Sequence, residues 1–327
     1  MRLSPAQVQA FSTDGFLRLR GALGAADVAQ LRGEFEATME PYANGFNRLR
    51  DQLAGEQHDG SSWTFISGGI EHTRHMCALL DDLRIKLPLE SLLGPGFNYA
   101  GGDSALYTGD TSWHVDNDHC LTHGSMFSIK LAIYLDEQPP GRGCLRVHPG
   151  SHRASHPLRL AVAKLGDAGQ RDSPAAAAVA TEFPGAVDVP STPGDIVLFN
   201  HDLWHGSFGG GARRRMFTIN CTRRARTTRE WKTLERYVRE HTPGAYDVRT
   251  GAGMYFPLML QTAAEVEGAS SERQRHLEQL HRLHDQLFPH LSGGQVPSFS
   301  PSQPPWSWVA EAHAGGRGLI SIPVAKL

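Results

Sequence analysis

The 327-residue chain sets 32 Lys and Arg against 34 Asp and Glu, a formal charge of −2, with 40% apolar residues. This length allows one large domain or two ordinary ones with a sizeable core, and the lack of a basic excess argues against a general nucleic-acid binder. Cys77, Cys120, Cys144 and Cys221 are scattered, without a Cys-x-x-Cys pair, which excludes a zinc ribbon or thioredoxin-like motif.

In so long a chain these cysteines read as reduced thiols of an intracellular protein. The amino terminus lacks the apolar region of a signal peptide. No apolar run approaches the roughly 18 residues that span a bilayer. A cytoplasmic protein with no membrane partner is expected.

Ser4-Pro5 predicts a helix start, with Val8 and Phe11 on its apolar side. Asp14-Gly15 ends it, and Phe16 to Leu19 alternates as a strand. A second helix is expected from about Ala26, with Val28, Leu31 and Phe35 on one face. Residues 44–75 are rich in Gly, Asn, Ser and His and read mainly as loop, with a short strand at Trp63 to Ile66. A loop that long is usually functional, so it is expected to line a substrate site. Leu79 to Leu93 is helical in pattern, with Pro88 expected to kink or split it.

From Phe97 to Cys221 short Val-, Ile-, Phe- and Tyr-rich runs alternate with Gly and Pro turns, as in a β barrel or sandwich. Phe127 to Leu135, Gly143 to Val147, Val187 to Val189, Asp195 to Asn200 and Met216 to Asn220 are such runs. Ala154 to Ala180 interrupts them as a helical or irregular insert beginning near Pro157. After about Thr227 helices return, at Glu230 to Glu240 and at Glu272 to Leu287. The second carries a Leu277, Leu280, Leu283 and Leu287 stripe. Pro297 to Trp308 reads as loop and Leu319 to Val324 as a last strand. No repeat or Gly/Ser linker marks an independent second domain. The expected architecture is a single α+β domain over 1–327, with an all-β core at about 97–225 between helical parts 1–96 and 226–327.

His114-Val115-Asp116 is the sole His-x-Asp triplet, but a chain with 17 His offers about one by chance. Its weight comes from what lies downstream. On an extended segment residues i and i+2 share a face, so His114 and Asp116 can converge on one metal. The strand Ile196 to Phe199 should deliver a third ligand at its end, either His205 or its rival His201. Two imidazoles and one carboxylate form the facial triad that suits non-haem Fe(II) with positions left open. Asp118 and His119 are nearby rivals, and Asp118 shares the face of Asp116 if the extended run continues. The block Arg213-Arg214-Arg215 then opens a strand, and a guanidinium there suits a bidentate carboxylate partner.

These residues resemble the phytanoyl-CoA dioxygenase family of Fe(II)- and 2-oxoglutarate-dependent oxygenases. Asp14-Gly15-Phe16, Trp113 to Asp116, Leu135-Asp136, Gly143 to His152, Pro193-Gly194-Asp195 and His205-Gly206-Ser207 carry the likeness, over about residues 3–225. The resemblance implies a double-stranded β-helix (jelly-roll, cupin-like) core with helices at both ends. It implies Fe(II) on His114, Asp116 and His205, 2-oxoglutarate on Arg214 or Arg215, and O2 as oxidant. Strand register favours Arg214, which shares a face with Met216, Thr218 and Asn220. The activity implied is oxidation of a small organic metabolite with release of succinate and CO2. Halogenating relatives replace the carboxylate ligand by a small residue; Asp116 therefore points to hydroxylation or a related oxidation.

Lys130, Ala132 and Tyr134 lie on one face of a core strand. A buried Lys130 needs a carboxylate partner, so it is a further candidate for holding 2-oxoglutarate or substrate. His72 and His75 are candidate substrate contacts in the 44–75 loop. His148 and His152 read first as structural, Trp113 as packing and Pro149 to His152 as a turn. For the arginines from Arg213 to Arg229, solvated surface is the first reading. An anionic group on a small-molecule substrate is the second. The competing function is a non-catalytic metal-binding β-barrel sensor or binding module. A zinc hydrolase would need a signature such as His-Glu-x-x-His, which the sequence lacks.

Overall fold

The computed structural model describes residues 1–39, 64–67, 74–107, 109–117, 127–166, 173–210, 214–241 and 270–287. In chain order the elements begin with α1 (Pro5–Asp14), β1 (Phe16–Leu19), α2 (Ala25–Glu34), β2 (Thr64–Ser67), α3 (Arg74–Leu79) and α4 (Leu83–Leu93). There follow β3 (Asn98–Tyr107), β4 (Thr111–His114), β5 (Ser128–Tyr134), β6 (Leu145–Val147), α5 (Pro157–Ala163) and α6 (Pro174–Glu182). The last are β7 (Val187–Val189), β8 (Ile196–Asn200), β9 (His205–Ser207), β10 (Arg214–Thr222), α7 (Thr228–His241) and α8 (Ser271–Leu287). They fall into two compact units, one of Met1–Val28, Leu83–Phe97 and Tyr107–Arg224, the other of Ala29–Asp82, Asn98–Leu106 and Ala225–Leu327.

The first unit is the barrel. In one sheet β1 pairs with β8, β8 with β5 and β5 with β10, all antiparallel. The other sheet runs β4-β9-β6-β7. Side chains of the first sheet reach across to the second, which makes the pair a jelly roll.

The ends of α1 follow from local chemistry. Ser4 and Gln7 form a reciprocal capping box, Pro5 opens the helix, and Gly15 closes it in the left-handed region at φ 83°. The His152 ring lies against Gly15, where any Cβ would collide with it. Gly15 therefore meets both a backbone and a packing demand.

The insert is helical, as α5 and α6. Its Leu158, Val162, Ala176 and Ala180 form a core with Trp113 and Val115. Both helices have polar N-caps followed by proline, His156-Pro157 and Ser173-Pro174.

The break expected at Pro88 falls elsewhere. Pro88 sits inside α4 and is buried, and the chain interrupts at Leu80–Asp82. There three N–H groups donate to the carbonyls three residues back, the tightened turn that ends a helix. Arg84, on α4, forks onto Asp27 at 2.7 and 3.1 Å.

In the second unit β2 and β3 pair antiparallel. The helix α8 buries Leu277, Leu280 and Leu283, but also a polar row. Gln279 there caps both backbone groups of Ala225 at 2.8 Å and accepts from Asn98 at 3.1 Å. Arg273 reaches Asp81 and lies 3.3 Å from the Cys77 sulfur. The expected loop at Pro297 to Trp308 and strand at Leu319 to Val324 lie outside the described residues, as do His72, Asp118, His119 and Arg213. Among the described residues no helix is long and apolar enough to cross a membrane.

Candidate active site

Alternation along β4 and the residues after it sets the site. Trp113 and Val115 turn one way, into the core shared with α5 and α6. His114 and Asp116 turn the other way. His114 lies directly opposite His205 of β9, and their ring centroids are 4.2 Å apart. His114 Nε2 is 3.9 Å from Asp116 Oδ1, and His205 Nε2 is 3.9 Å from Asp116 Oδ2. One donor atom from each of His114, Asp116 and His205 lies within 4.8 Å of the others.

The donor set fits a divalent metal by its hydrogen bonding. His114 Nδ1 is 2.8 Å from the Ser112 carbonyl, and His205 Nδ1 is 2.9 Å from the Leu203 carbonyl. A carbonyl only accepts, so each Nδ1 carries a proton and Nε2 is the nitrogen turned to the shared centre. Burial and the neighbouring His114 push the His205 imidazole down to about 3, which keeps it in the neutral, ligating form. For Asp116 burial works to raise the carboxyl. The charges of Lys130, His205, His201 and His114 outweigh it and hold the group well below the usual carboxylate range.

The turn after β6 secures the distal histidine. The backbone of Trp204 is gripped on both sides: its N–H donates to Ser151 Oγ at 2.9 Å, and its carbonyl accepts from the His148 N–H at 3.0 Å. His148 Nε2 is 2.8 Å from the Ala180 carbonyl and His152 Nε2 is 3.2 Å from the Ser12 carbonyl. Both histidines are structural. His201 pairs with Asn117 at 2.8 Å.

The arginines on β10 part by the same alternation. Arg214 is buried and points between the sheets. Its guanidinium donates to Ser207 Oγ at 2.6 Å, to the Gly109 carbonyl at 2.7 Å and to the Gly143 carbonyl. It also lies 5.7 Å from the Tyr107 ring centre. Gly143 and Gly210 leave it room, since a Cβ at either would overlap the guanidinium. Arg215 turns the other way and forks onto Asp136, at 2.6 and 3.1 Å, with its N–H on the same carboxylate at 2.8 Å.

Lys130 Nζ is 2.9 Å from Asp116 Oδ1. The carboxylate that a buried lysine demands is thus one of the triad. His75 lies in the other compact unit, with Nδ1 and N–H both on Glu34.

Sequence reasoning passed over Ser207 as a partner of Arg214 and the two glycines that make its cradle. The signal was available in the Ser of His205-Gly206-Ser207 and in glycines flanking the barrel strands. It also passed over Tyr134 as a neighbour of Arg214; burial pushes that phenol up, so it stays neutral.

A family model described as phytanoyl-CoA dioxygenase (PhyH) matches residues 11–216. Jelly roll, triad and match together define a non-haem iron, 2-oxoglutarate-dependent oxygenase. The chain belongs to the phytanoyl-CoA dioxygenase family. It is 25% identical to ectoine dioxygenase from Sphingopyxis alaskensis over 228 residues, covering 63% of this chain and 71% of that protein. Its fold is similar to that of HygX from Streptomyces hygroscopicus solved with nickel and 2-oxoglutarate, at TM-score 0.52 and 22% identity over 68% of this chain and 88% of that one. The iron-bound HygX structure gives TM-score 0.51 and 23% identity over 68% and 87%.

Proposed function

We propose that this chain hydroxylates or otherwise oxidises a small organic metabolite at an Fe(II) held by His114, Asp116 and His205. In this reading 2-oxoglutarate is the co-substrate, and Arg214 binds its distal carboxylate. Bound iron with 2-oxoglutarate supplies oxidation of the substrate by O2, with release of succinate and CO2.

The observation that carries the reading is the convergence of two imidazoles and a carboxylate in one wall, with a buried guanidinium on the facing sheet. The two Nδ1–carbonyl bonds orient the imidazoles. Asp116 contributes the negative charge that a dication needs. Arg214, already surrounded by neutral oxygens, offers its fork to a carboxylate in a water-poor space. Arg215 is bound to Asp136, so the proposal assigns the co-substrate to Arg214. Lys130 stands as a contact on the Asp116 side of the centre, near enough to touch a bound carboxylate as well as its aspartate.

The three cysteines among the described residues are buried and form no disulfide with one another, which suits the reducing cytoplasm. HygX has been solved with hygromycin B bound, and the curated relative is named for ectoine. Both support a small-molecule substrate here.

The test is succinate formation by iron-loaded protein given 2-oxoglutarate and a metabolite panel, with Asp116→Ala alongside. Substrate-stimulated succinate that vanishes in the variant is expected. Equal succinate from both proteins would sink the assignment.

A further inference from the structure

We propose that Asn220, with Ser128 beside it, recognises the primary substrate and is built for a polyhydroxylated small molecule. The proposal rests on the reading that Arg214 holds the co-substrate.

Side chains two apart on a strand share a face. Arg214, Met216, Thr218 and Asn220 therefore all point where Arg214 points, between the two sheets. The cross-strand register agrees. Asn220 lies directly opposite Lys130 on β5, and Lys130 reaches across the barrel to Asp116. Ser128, two residues before Lys130, shares that face and lies opposite Thr222.

The two ends of this wall hold different groups. Six residues of strand, about 20 Å, separate Arg214 from Asn220. A small dicarboxylate anchored at Arg214 reaches the triad but not the far end. At that far end Asn220 Oδ1 and Ser128 Oγ are buried without a hydrogen-bond partner among the described residues. Asn220 is 4% exposed and Ser128 1%. A buried acceptor left unpaired costs about 1–3 kcal/mol, so this end calls for a donor that no described residue supplies.

The chemistry of the missing donor follows from its neighbours. An amide carbonyl takes an O–H or N–H. The Lys130 ammonium facing Asn220 disfavours a cationic amine there. A hydroxyl satisfies the carbonyl without adding charge, and the Ser128 hydroxyl gives or takes a second bond to a neighbouring hydroxyl. An apolar acyl chain would leave both atoms dry.

The test uses full-length, Fe(II)-loaded protein and Asn220→Leu, which keeps the branched shape and removes the polar group. Three quantities are measured: thermal stability, 2-oxoglutarate affinity by calorimetry under argon, and succinate release with myo-inositol, sucrose, raffinose, ectoine and dodecanoate as probes. The strongest stimulation is expected from a polyhydroxylated probe. Asn220→Leu is expected to weaken the apparent affinity for that probe about tenfold, the loss of one uncharged hydrogen bond. Its melting temperature should hold or rise, and its 2-oxoglutarate affinity should not change. Stimulation confined to dodecanoate, no stimulation by any polyhydroxylated probe, an unchanged probe affinity, or a lower melting temperature would each overturn the proposal. Failure of the parent protein to bind 2-oxoglutarate would instead remove the reading beneath it.

Discussion

The two faces of the stretch Trp113 to Asp116 do opposite work within four residues. Trp113 and Val115 are buried at 3% and 2% exposure in an apolar core with α5 and α6. His114 and Asp116 face the barrel and meet His205. The β10 strand repeats the division, with Arg214 turned inward onto Ser207 and Arg215 turned away onto Asp136. The lesson is that period-two alternation places chemistry and its mechanical support one residue apart. The outer residues hold the strand, and the inner ones are therefore held in register.

The comparison breaks most visibly at Asp116. Asp116→Ala should lower succinate formation by well over about a hundredfold, beyond what changes behind a metal ligand usually cost, while circular dichroism stays native. Trp113→Ala should do the reverse. It removes a ring packed 4.4 Å from His148 and 5.5 Å from Phe208 and should cost about 3–5 kcal/mol of stability in denaturant melts. If Asp116→Ala unfolds the protein, or Trp113→Ala leaves its stability intact, the division of labour is wrong.

A histidine outside the site sharpens the contrast. Burial pushes His152 down to about 4. The folded state keeps it neutral, and the unfolded chain protonates it below its ordinary 6.5. Stability is therefore lost as pH falls from 6.5 toward 4, by about 2 kcal/mol at pH 5 from this residue. His152→Gln should flatten that slope in urea melts at pH 5 and 7; parallel slopes for both proteins would refute the account. The smallest effect is expected at Arg215. Its partly exposed ion pair with Asp136 should be worth no more than about 1 kcal/mol, so Arg215→Ala should bind 2-oxoglutarate nearly as the parent does.

The candidate site was legible where alternation and turn chemistry speak locally. His114 and Asp116 share a face by spacing, His205 follows a strand end, and parity on β10 separates Arg214 from Arg215. The strands Phe127 to Leu135 and Asp195 to Asn200 showed as apolar runs, and the α8 stripe as leucines. Other features depend on distant partners. That Lys130 needs a carboxylate follows from burial, but that Asp116 supplies it depends on the two sheets meeting. The strand β3 hid because Gly101, Gly102, Asp103 and Ser104 interrupt its apolar pattern, although nearly the whole strand is buried. Strand register put Asn220 on the Arg214 face, but only the fold shows that Asn220 and Ser128 are enclosed. Pro88 misled because a proline marks a helix break by rule, while the actual break was set by the tight turn at Leu80–Asp82.

The central claim is that the His114–Asp116–His205 centre and Arg214 together form the iron and co-substrate site. Calorimetric titration of 2-oxoglutarate into Fe(II)-loaded protein under argon tests it most directly. The account predicts one site in the parent, affinity weakened about a hundredfold in Arg214→Ala through loss of a buried charged partner, and no iron-dependent binding in Asp116→Ala. Iron-dependent binding that survives in either variant at parental affinity would contradict it.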